Sequence, residues 1–448
     1  MVVVSGHWVD LVLVLSVALI GLGVCYGLTM MILSRREPSR LRSGPLAMST
    51  PKSVIFVLPC LNEDRVLGTS LERLLELHHP RMKILVVDDG SSDTTARIVA
   101  QNTDPRVHLL QRVLPNAQKG KGEALNAAFA HIVSGAVIPF DNPDDVLVCV
   151  VDADGRLEPH ALVDVVPRFD DPMMGAIQIG VRINNREKNL LARMQDFEFV
   201  LYTEIFQRGR RHLGSVGLGG NGQFVRLSAL MSLGDTPWSR SLTEDLDLGL
   251  RLLMAGWKTD FCATAAVHQQ GLVSVGRWVK QRTRWFQGHL QSWTLIPFVL
   301  KHTKGTARVD LMYHLTSPFL LLVTSLLSVA FVLWGLDLVI SLLLGSVTFS
   351  WWWVSSYLVA FGPALIFGSI YAGMEKESGW SRVRSVALPD LYVAYAFLWF
   401  LAGWRAVWRV LTRQGGWSKT DRTVEDSAAR LDSAHGSLVL SGADVRTL

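Results

Sequence analysis

The chain has 448 residues, enough for one large globular domain plus a separate apolar part. It is 49% hydrophobic and only 19% charged, and its net charge of +5 comes with no Lys/Arg stripe interleaved with aromatics, which excludes a nucleic-acid surface. The four cysteines (Cys25, Cys60, Cys149, Cys262) have no paired spacing, so neither a disulfide framework nor a zinc site is expected.

Residues 11–33 carry no charge and can cross about 30 Å of hydrocarbon, so 1–34 reads as an N-terminal transmembrane helix. Arg35, Arg36, Arg40 and Arg42 follow in a basic linker (35–51), which places the next segment on the cytoplasmic side. A cleaved signal peptide is disfavoured, because the start is not basic and no small-residue cleavage site follows.

From 52 to 300 strand-like and helical patterns alternate. Val54–Leu58 is a buried-strand run, 66–77 has helical leucine spacing, and Ile84–Val87 is a second apolar run. Residues 146–151 give a third strand. Such alternation predicts a mostly parallel α/β sheet with its ligands at the carboxyl ends of the strands.

The candidate residues fall at those ends. Asp89, in Asp88-Asp89-Gly90-Ser91, offers a carboxylate to a uracil or ribose. Lys121, in Lys119-Gly120-Lys121-Gly122, stands at a helix start suited to a diphosphate. Asp152 and Asp154, one residue apart after a buried strand, suit Mg2+ or Mn2+ shared with phosphate oxygens. Gly219, Gly220, Asn221 and Gly222 let the backbone approach an acceptor closely. Glu244 and Asp245 open a leucine-rich helix, where a carboxylate of raised pKa can deprotonate an acceptor hydroxyl. Gln281, Arg284 and Trp285 recur at i, i+3 and i+4, so an amide, a guanidinium and an indole share one helical face fit for an anionic, sugar-bearing ligand.

Two further apolar blocks follow. Residues 311–374 hold His314 and Asp337 and are long enough for two or three spans, and 386–408 is another candidate. Transmembrane helices are therefore expected over 311–411 and a polar, disordered tail over 412–448.

Asp-Asp-Gly-Ser, Lys-Gly-Lys-Gly, Asp-Ala-Asp, Thr-Glu-Asp and Gln-Arg-Thr-Arg-Trp, in this order over 88–285, resemble the family 2 inverting glycosyltransferases. The closer resemblance is to their membrane-integrated branch: cellulose, chitin, hyaluronan and poly-N-acetylglucosamine synthases and glycolipid-forming relatives. It implies a Rossmann-like nucleotide-diphospho-sugar transferase fold in the cytoplasm, with an interface helix near 286–305 and a multi-pass anchor in the plasma membrane. It further implies Asp89 at the nucleotide, Asp152 and Asp154 at the diphosphate with Asp154 as metal ligand, and Asp245 as general base beside Glu244. Gln281, Arg284 and Trp285 would bind the diphosphate and the acceptor end. Trp417-Ser418-Lys419-Thr420-Asp421-Arg422 also resembles an element that follows the last span in relatives, which favours a cytoplasmic tail.

The expected function is transfer of glucose or N-acetylglucosamine from a UDP-sugar to a growing β-linked polysaccharide, with an accessory protein for export. Gly219–Phe224 with Thr243–Leu248 also resembles relatives whose acceptor is diacylglycerol, which leaves a glycolipid product as the alternative. A transporter is disfavoured by the near absence of charge in the apolar blocks. An inactive scaffold is disfavoured by the intact carboxylates at 152, 154 and 245.

Overall fold

The computed structural model describes residues 6–36, 52–346, 351, 365–373 and 382–414. Arg40, Arg42, Lys376 and the tail from 415, with its Trp417–Arg422 element, lie outside the described residues.

Eight strands form one mixed sheet in the order β3-β2-β1-β4-β7-β6-β8-β5. They are β1 (Ser53–Cys60), β2 (Met82–Asp88), β3 (Val107–Gln111), β4 (Val146–Val150), β5 (Arg156–Leu157), β6 (Met174–Ile183), β7 (Gln223–Arg226) and β8 (Lys258–Gln269). Strands β3, β2, β1 and β4 are mutually parallel, and β6 runs parallel to β8. Strand β7 is antiparallel to both β4 and β6, and β5 to β8. The fold is the mostly parallel α/β sheet expected from the sequence.

Both faces of the sheet are covered, which is why its strands read as unbroken apolar runs. Along β1, Val54, Phe56 and Leu58 face a core shared with Leu67, Leu71 and Leu74 of the Leu67–Leu75 helix. Ile55 and Val57 face the opposite core, packed by Ala124, Leu125 and Ala128 of the Lys121–Val133 helix. Strands β2 and β4, on either side of β1, deliver Asp88-Asp89 and Asp152 to the same edge.

Outside the sheet lie long helices at Gly6–Ser34, Gly305–Leu343 and Arg382–Leu411, and residues 365–373 are also helical. Among the described residues one helix, Gly305–Ser328, is long and apolar enough to cross a membrane; Gly21–Ser34 is a shorter apolar helix. The long helices are fastened to the α/β domain by specific side chains. The Val275–Gln291 helix packs along Arg382–Leu411, where the Trp278 indole N–H donates to the Tyr395 hydroxyl at 2.9 Å and its ring meets Trp399 edge-on. Tyr26 stacks on Tyr313 with ring centres 3.8 Å apart and donates its hydroxyl to Asp310. Arg210 donates to the other oxygen of Asp310 at 2.7 Å.

A second joint centres on Asp196, which is fully buried. Its carboxylate accepts the Ile183 amide of β6, the Arg182 guanidinium at 3.1 Å and the Tyr371 hydroxyl at 2.9 Å. Removing one partner of a buried ionic network costs about 3–5 kcal/mol, because the remaining charge is left uncompensated. Asp196→Ala is therefore expected to lower the thermal unfolding midpoint of the protein by several degrees. Unchanged melting would refute a structural role for this joint.

Candidate active site

The site begins with Lys121, the first residue of the Lys121–Val133 helix. Its ammonium donates to Asp152 Oδ1 at 2.7 Å and to the Gly220 carbonyl at 2.8 Å, and lies 3.7 Å from Glu244 Oε1. One cation thus ties together the end of β4, the glycine-rich loop before β7 and the start of the Glu244–Met254 helix. Burial alone would lower the Lys121 pKa, but Asp152 and Glu244 outweigh it, and the net shift is upward.

The neighbouring carboxylates move the same way for the opposite reason. Burial pushes Glu244 up to about 7, against the attraction of Lys121, and Asp245 adds to the rise. Asp245 is also raised, by burial first, with Lys121 opposing and Asp152 adding. Asp245 Oδ1 accepts the Leu246 amide at 2.8 Å, which aims the carboxylate from the helix start. A Cβ added at Gly220 would sit 3.0 Å from Lys121 Nζ and 3.2 Å from Asp245 Oδ2, so the loop needs glycine to bring its carbonyl this close.

That loop is clamped from both sides. Gln178 of β6 accepts the Gly219 amide at 2.8 Å and donates to the Asn221 carbonyl at 2.9 Å. The Asn221 side chain accepts the Asp152 amide at 3.2 Å and donates to Gln269 at 2.8 Å. Gly222 adopts a positive φ of 73° and approaches Ile179 so closely that a Cβ would lie 2.6 Å from its Cγ1. Gln178 and Gln269 were not singled out by sequence reasoning. The available signal was a lone amide inside the apolar run of β6.

A cavity of about 950 Å³ opens on this cluster. Of the expected site residues, Asp89, Lys121, Asp152, Gly219, Gly220, Asn221, Glu244, Asp245, Gln281, Arg284 and Trp285 line it, while Asp154 and Gly222 do not. Asp89 is nearly buried and ion-paired to Arg112, and burial raises its pKa against that arginine. Asp154 is 1% exposed and accepts the Gln270 amide at 3.0 Å, while Asp152 and Ala153 form the wall. The turn after β4, closed by the Gly155 amide on the Asp152 carbonyl, separates the two carboxylates. Among the described residues no group of three or more His, Cys, Asp or Glu could hold a metal ion. A hard cation fits the carboxylate oxygens at Asp152 if the ligand's phosphate oxygens complete its shell, as Mg2+ sites commonly require.

Gln281, Arg284 and Trp285 face the cavity from one side of the Val275–Gln291 helix, as their spacing predicts. Between them Arg282 is 1% exposed and ion-paired to Glu198 at 3.1 Å. Its guanidinium lies 4.1 Å from the Trp285 ring centre, with Trp278, Trp399 and Phe199 also around it. The indole is thus held by a buried cation. Gly288 of the same helix abuts Thr243, where a Cβ would come within 2.7 Å of the Thr243 backbone nitrogen.

Away from the carboxylates the lining becomes apolar and aromatic: Phe197, Phe199, Phe206, Leu321, Phe367 and Trp399. These come from the Leu190–Leu201 helix, the π-helical turn Tyr202–Gln207 and the long C-terminal helices. Sequence reasoning missed this wall, since its residues look like ordinary core in isolation.

Residues 51–288 match the family model described as "Glycosyltransferase like family 2", and the chain belongs to that family. Residues 51–288 are thus a family 2 glycosyltransferase domain. Among curated relatives it is 32% identical over 279 residues to the beta-monoglucosyldiacylglycerol synthase of Trichormus variabilis, across 60% of this chain and 56% of that one. The chain thus spans little more than half the length of that relative. The beta-monoglucosyldiacylglycerol synthase of Synechocystis sp. is 28% identical over 397 residues, covering 86% of this chain and 77% of the relative. The poly-beta-1,6-N-acetyl-D-glucosamine synthase of Staphylococcus aureus is 25% identical over 240 residues, 53% of this chain and 54% of its own. In fold the chain is similar to a mannosyltransferase from Pyrobaculum calidifontis solved with GDP-Man and Mn2+, with a TM-score of 0.61, 17% identity and coverage of 91% and 99%.

Glu244 gives a pH test. Its folded pKa is raised from 4.5 to about 7, so the folded state binds its proton more tightly than the unfolded chain does. The stability tied to that proton is present below 4.5 and is lost as the pH rises through 7. Melting curves of the wild type are expected to fall across this window relative to Glu244→Gln. Parallel curves would contradict the assigned shift.

Proposed function

We propose that this chain transfers glucose or N-acetylglucosamine from a UDP-sugar to the free hydroxyl of a glycerolipid, forming a β-linked glycolipid. The observation that carries this reading is the change of character along one cavity. It has a floor of carboxylates and lysine fit for a nucleotide diphosphate, and it continues into an aromatic mouth between long helices. An acyl chain gains about 0.8 kcal/mol per buried CH2 against such an apolar lining. The names of the two cyanobacterial relatives support the same acceptor. The polymer reading retains the support of the staphylococcal relative's name. The bilayer enters as the source of the acceptor, with the layout 1–34, 52–300 and 311–411 as anchor, cytoplasmic catalytic domain and second anchor.

In this reading Asp89 holds the nucleoside and Lys121, Gln281 and Arg284 stand around the diphosphate. Asp245 takes the proton from the acceptor hydroxyl as its oxygen bonds to the anomeric carbon. The bond from that carbon to the β-phosphate oxygen breaks, UDP leaves with the electron pair, and the configuration inverts. Burial first, and Asp152 with it, disfavour charge on Asp245 against the pull of Lys121 and make it a stronger base. Lys121 holds all three carboxylates in register. Trp285, braced by Arg282, offers its ring to the sugar being moved. Mg2+ or Mn2+ at Asp152, with Asp154 behind it, would offset charge developing on the diphosphate; the Pyrobaculum enzyme was solved with Mn2+.

Membranes carrying the chain, supplied with radiolabelled UDP-sugars and divalent cation, are expected to place label in the organic-soluble fraction. Label confined to a high-mass aqueous fraction would establish the polymer product instead. Asp245→Asn is expected to cut transfer by about 10²- to 10⁴-fold while UDP-sugar binding persists. Retained turnover would remove Asp245 from its role.

A further inference from the structure

Arg210 lies where the π-helical turn Tyr202–Gln207 passes into the Arg208–Arg210 helical turn, and is 1% exposed. Its Nε donates to Asp310 Oδ2 at 2.7 Å, while Tyr26 occupies the other oxygen of that carboxylate at 2.9 Å. Its remaining nitrogens, Nη1 and Nη2, are buried and close no hydrogen bond of ordinary geometry among the described residues, the Tyr202 hydroxyl being the further polar group that interacts with the guanidinium. Such donors are seldom left so in a folded interior. The guanidinium lines the cavity together with Tyr202, His289, Tyr313, His314 and Ser317.

The position of this cluster is informative. Tyr202 interacts with the charges of both Arg210 and Asp245, and all three line one cavity. Phe206, Leu321 and Phe367 line the same cavity. A ligand whose hydroxyl reaches Asp245 and whose chains fill the mouth therefore carries its next polar atoms past Arg210.

The local charge narrows their chemistry. Arg210 is already compensated by Asp310. His289 stays neutral, since burial pushes its pKa down to about 4, and its Nε2 is engaged by the His314 carbonyl at 3.0 Å. The two open donors thus suit a neutral oxygen better than a phosphate, which would bring charge without a free counter-ion.

We infer that Arg210 Nη1 and Nη2 form a subsite for the ester carbonyl oxygens of a neutral diacylglycerol acceptor. This rests on the glycerolipid reading of the cavity and names the part of the acceptor that the protein recognises. Arg210 acts there as a binding residue, away from the atoms that react.

The test compares 1,2-diacylglycerol with 1,2-dialkylglycerol of equal chain length, which lacks the carbonyls but keeps the hydroxyl. Wild-type protein is expected to show a KM about tenfold lower for the ester, the value of one hydrogen bond to a charged donor. In Arg210→Lys an ammonium can still meet Asp310 but the two forked donors are gone, and the ester-to-ether ratio is expected to fall to near one. UDP-sugar binding is measured alongside as a check on folding; should the variant fail to fold, the wild-type ratio decides alone. Equal KM values in the wild type, or a ratio retained in the variant, overturns the subsite and leaves the glycolipid reading standing. Phosphatidic acid competing more tightly than diacylglycerol binds overturns the preference for a neutral oxygen. Label entering only a high-mass aqueous product overturns the glycolipid reading and this inference with it.

Discussion

The contact on which the candidate site depends is the Lys121 ammonium among Asp152, Glu244 and the Gly220 carbonyl. Carboxylates gathered at a cavity floor repel one another and resist burial, so without a central cation at least one would take up a proton or swing away. Lysine suits the place because its ammonium is a compact point charge with three donors, able to face three directions at once. Its attachment to the first turn of the Lys121–Val133 helix fixes the centre of the cluster to the sheet. The rest of the arrangement reads as consequences: a glycine-rich loop at 219–222, an amide clamp from Gln178, and a carboxylate of raised pKa at the start of the next helix.

The second organising feature is the shared wall between the α/β domain and the long helices. The Val275–Gln291 helix has two occupied sides. Here one side bears Gln281, Arg284 and Trp285 toward the cavity, and another packs Trp278 and Val279 against Tyr395 and Leu388. A single helix thus serves the reaction chamber and the helical layer at once. The buried Arg282 sits where those two duties meet, surrounded by rings from both.

What the sequence disclosed follows from how local each signal was. β1, β2 and β4 were legible because parallel strands covered on both faces leave continuous Val/Ile/Leu runs. The helix starts at Lys121 and Glu244 were legible from glycine and acidic residues at the right offsets. β6, β7 and β8 were not, because Gln178, Thr259 and Asp260 break the apolar pattern and β7 has only four residues. The motif residues of the cavity floor are legible because each motif is local, whereas the aromatic wall and Arg210 acquire meaning only from neighbours about a hundred residues away. Asp154 shows the limit from the other side: its spacing from Asp152 was correct for one surface, but the turn sends it into the interior.

The backbone contact between Gly288 and Thr243 has a mechanical meaning. Thr243 immediately precedes the carboxylate helix, and Gly288 lies on the helix that rides along Arg382–Leu411. Only the small Thr243 side chain fills the gap that Gly288 leaves, so the two helices meet in direct contact rather than through a layer of larger side chains. A small tilt of the Arg382–Leu411 rod would be conveyed to Glu244 and Asp245 without first deforming the sheet. The geometry of the cavity floor at Glu244 and Asp245 is therefore set in part by how the long helices are seated.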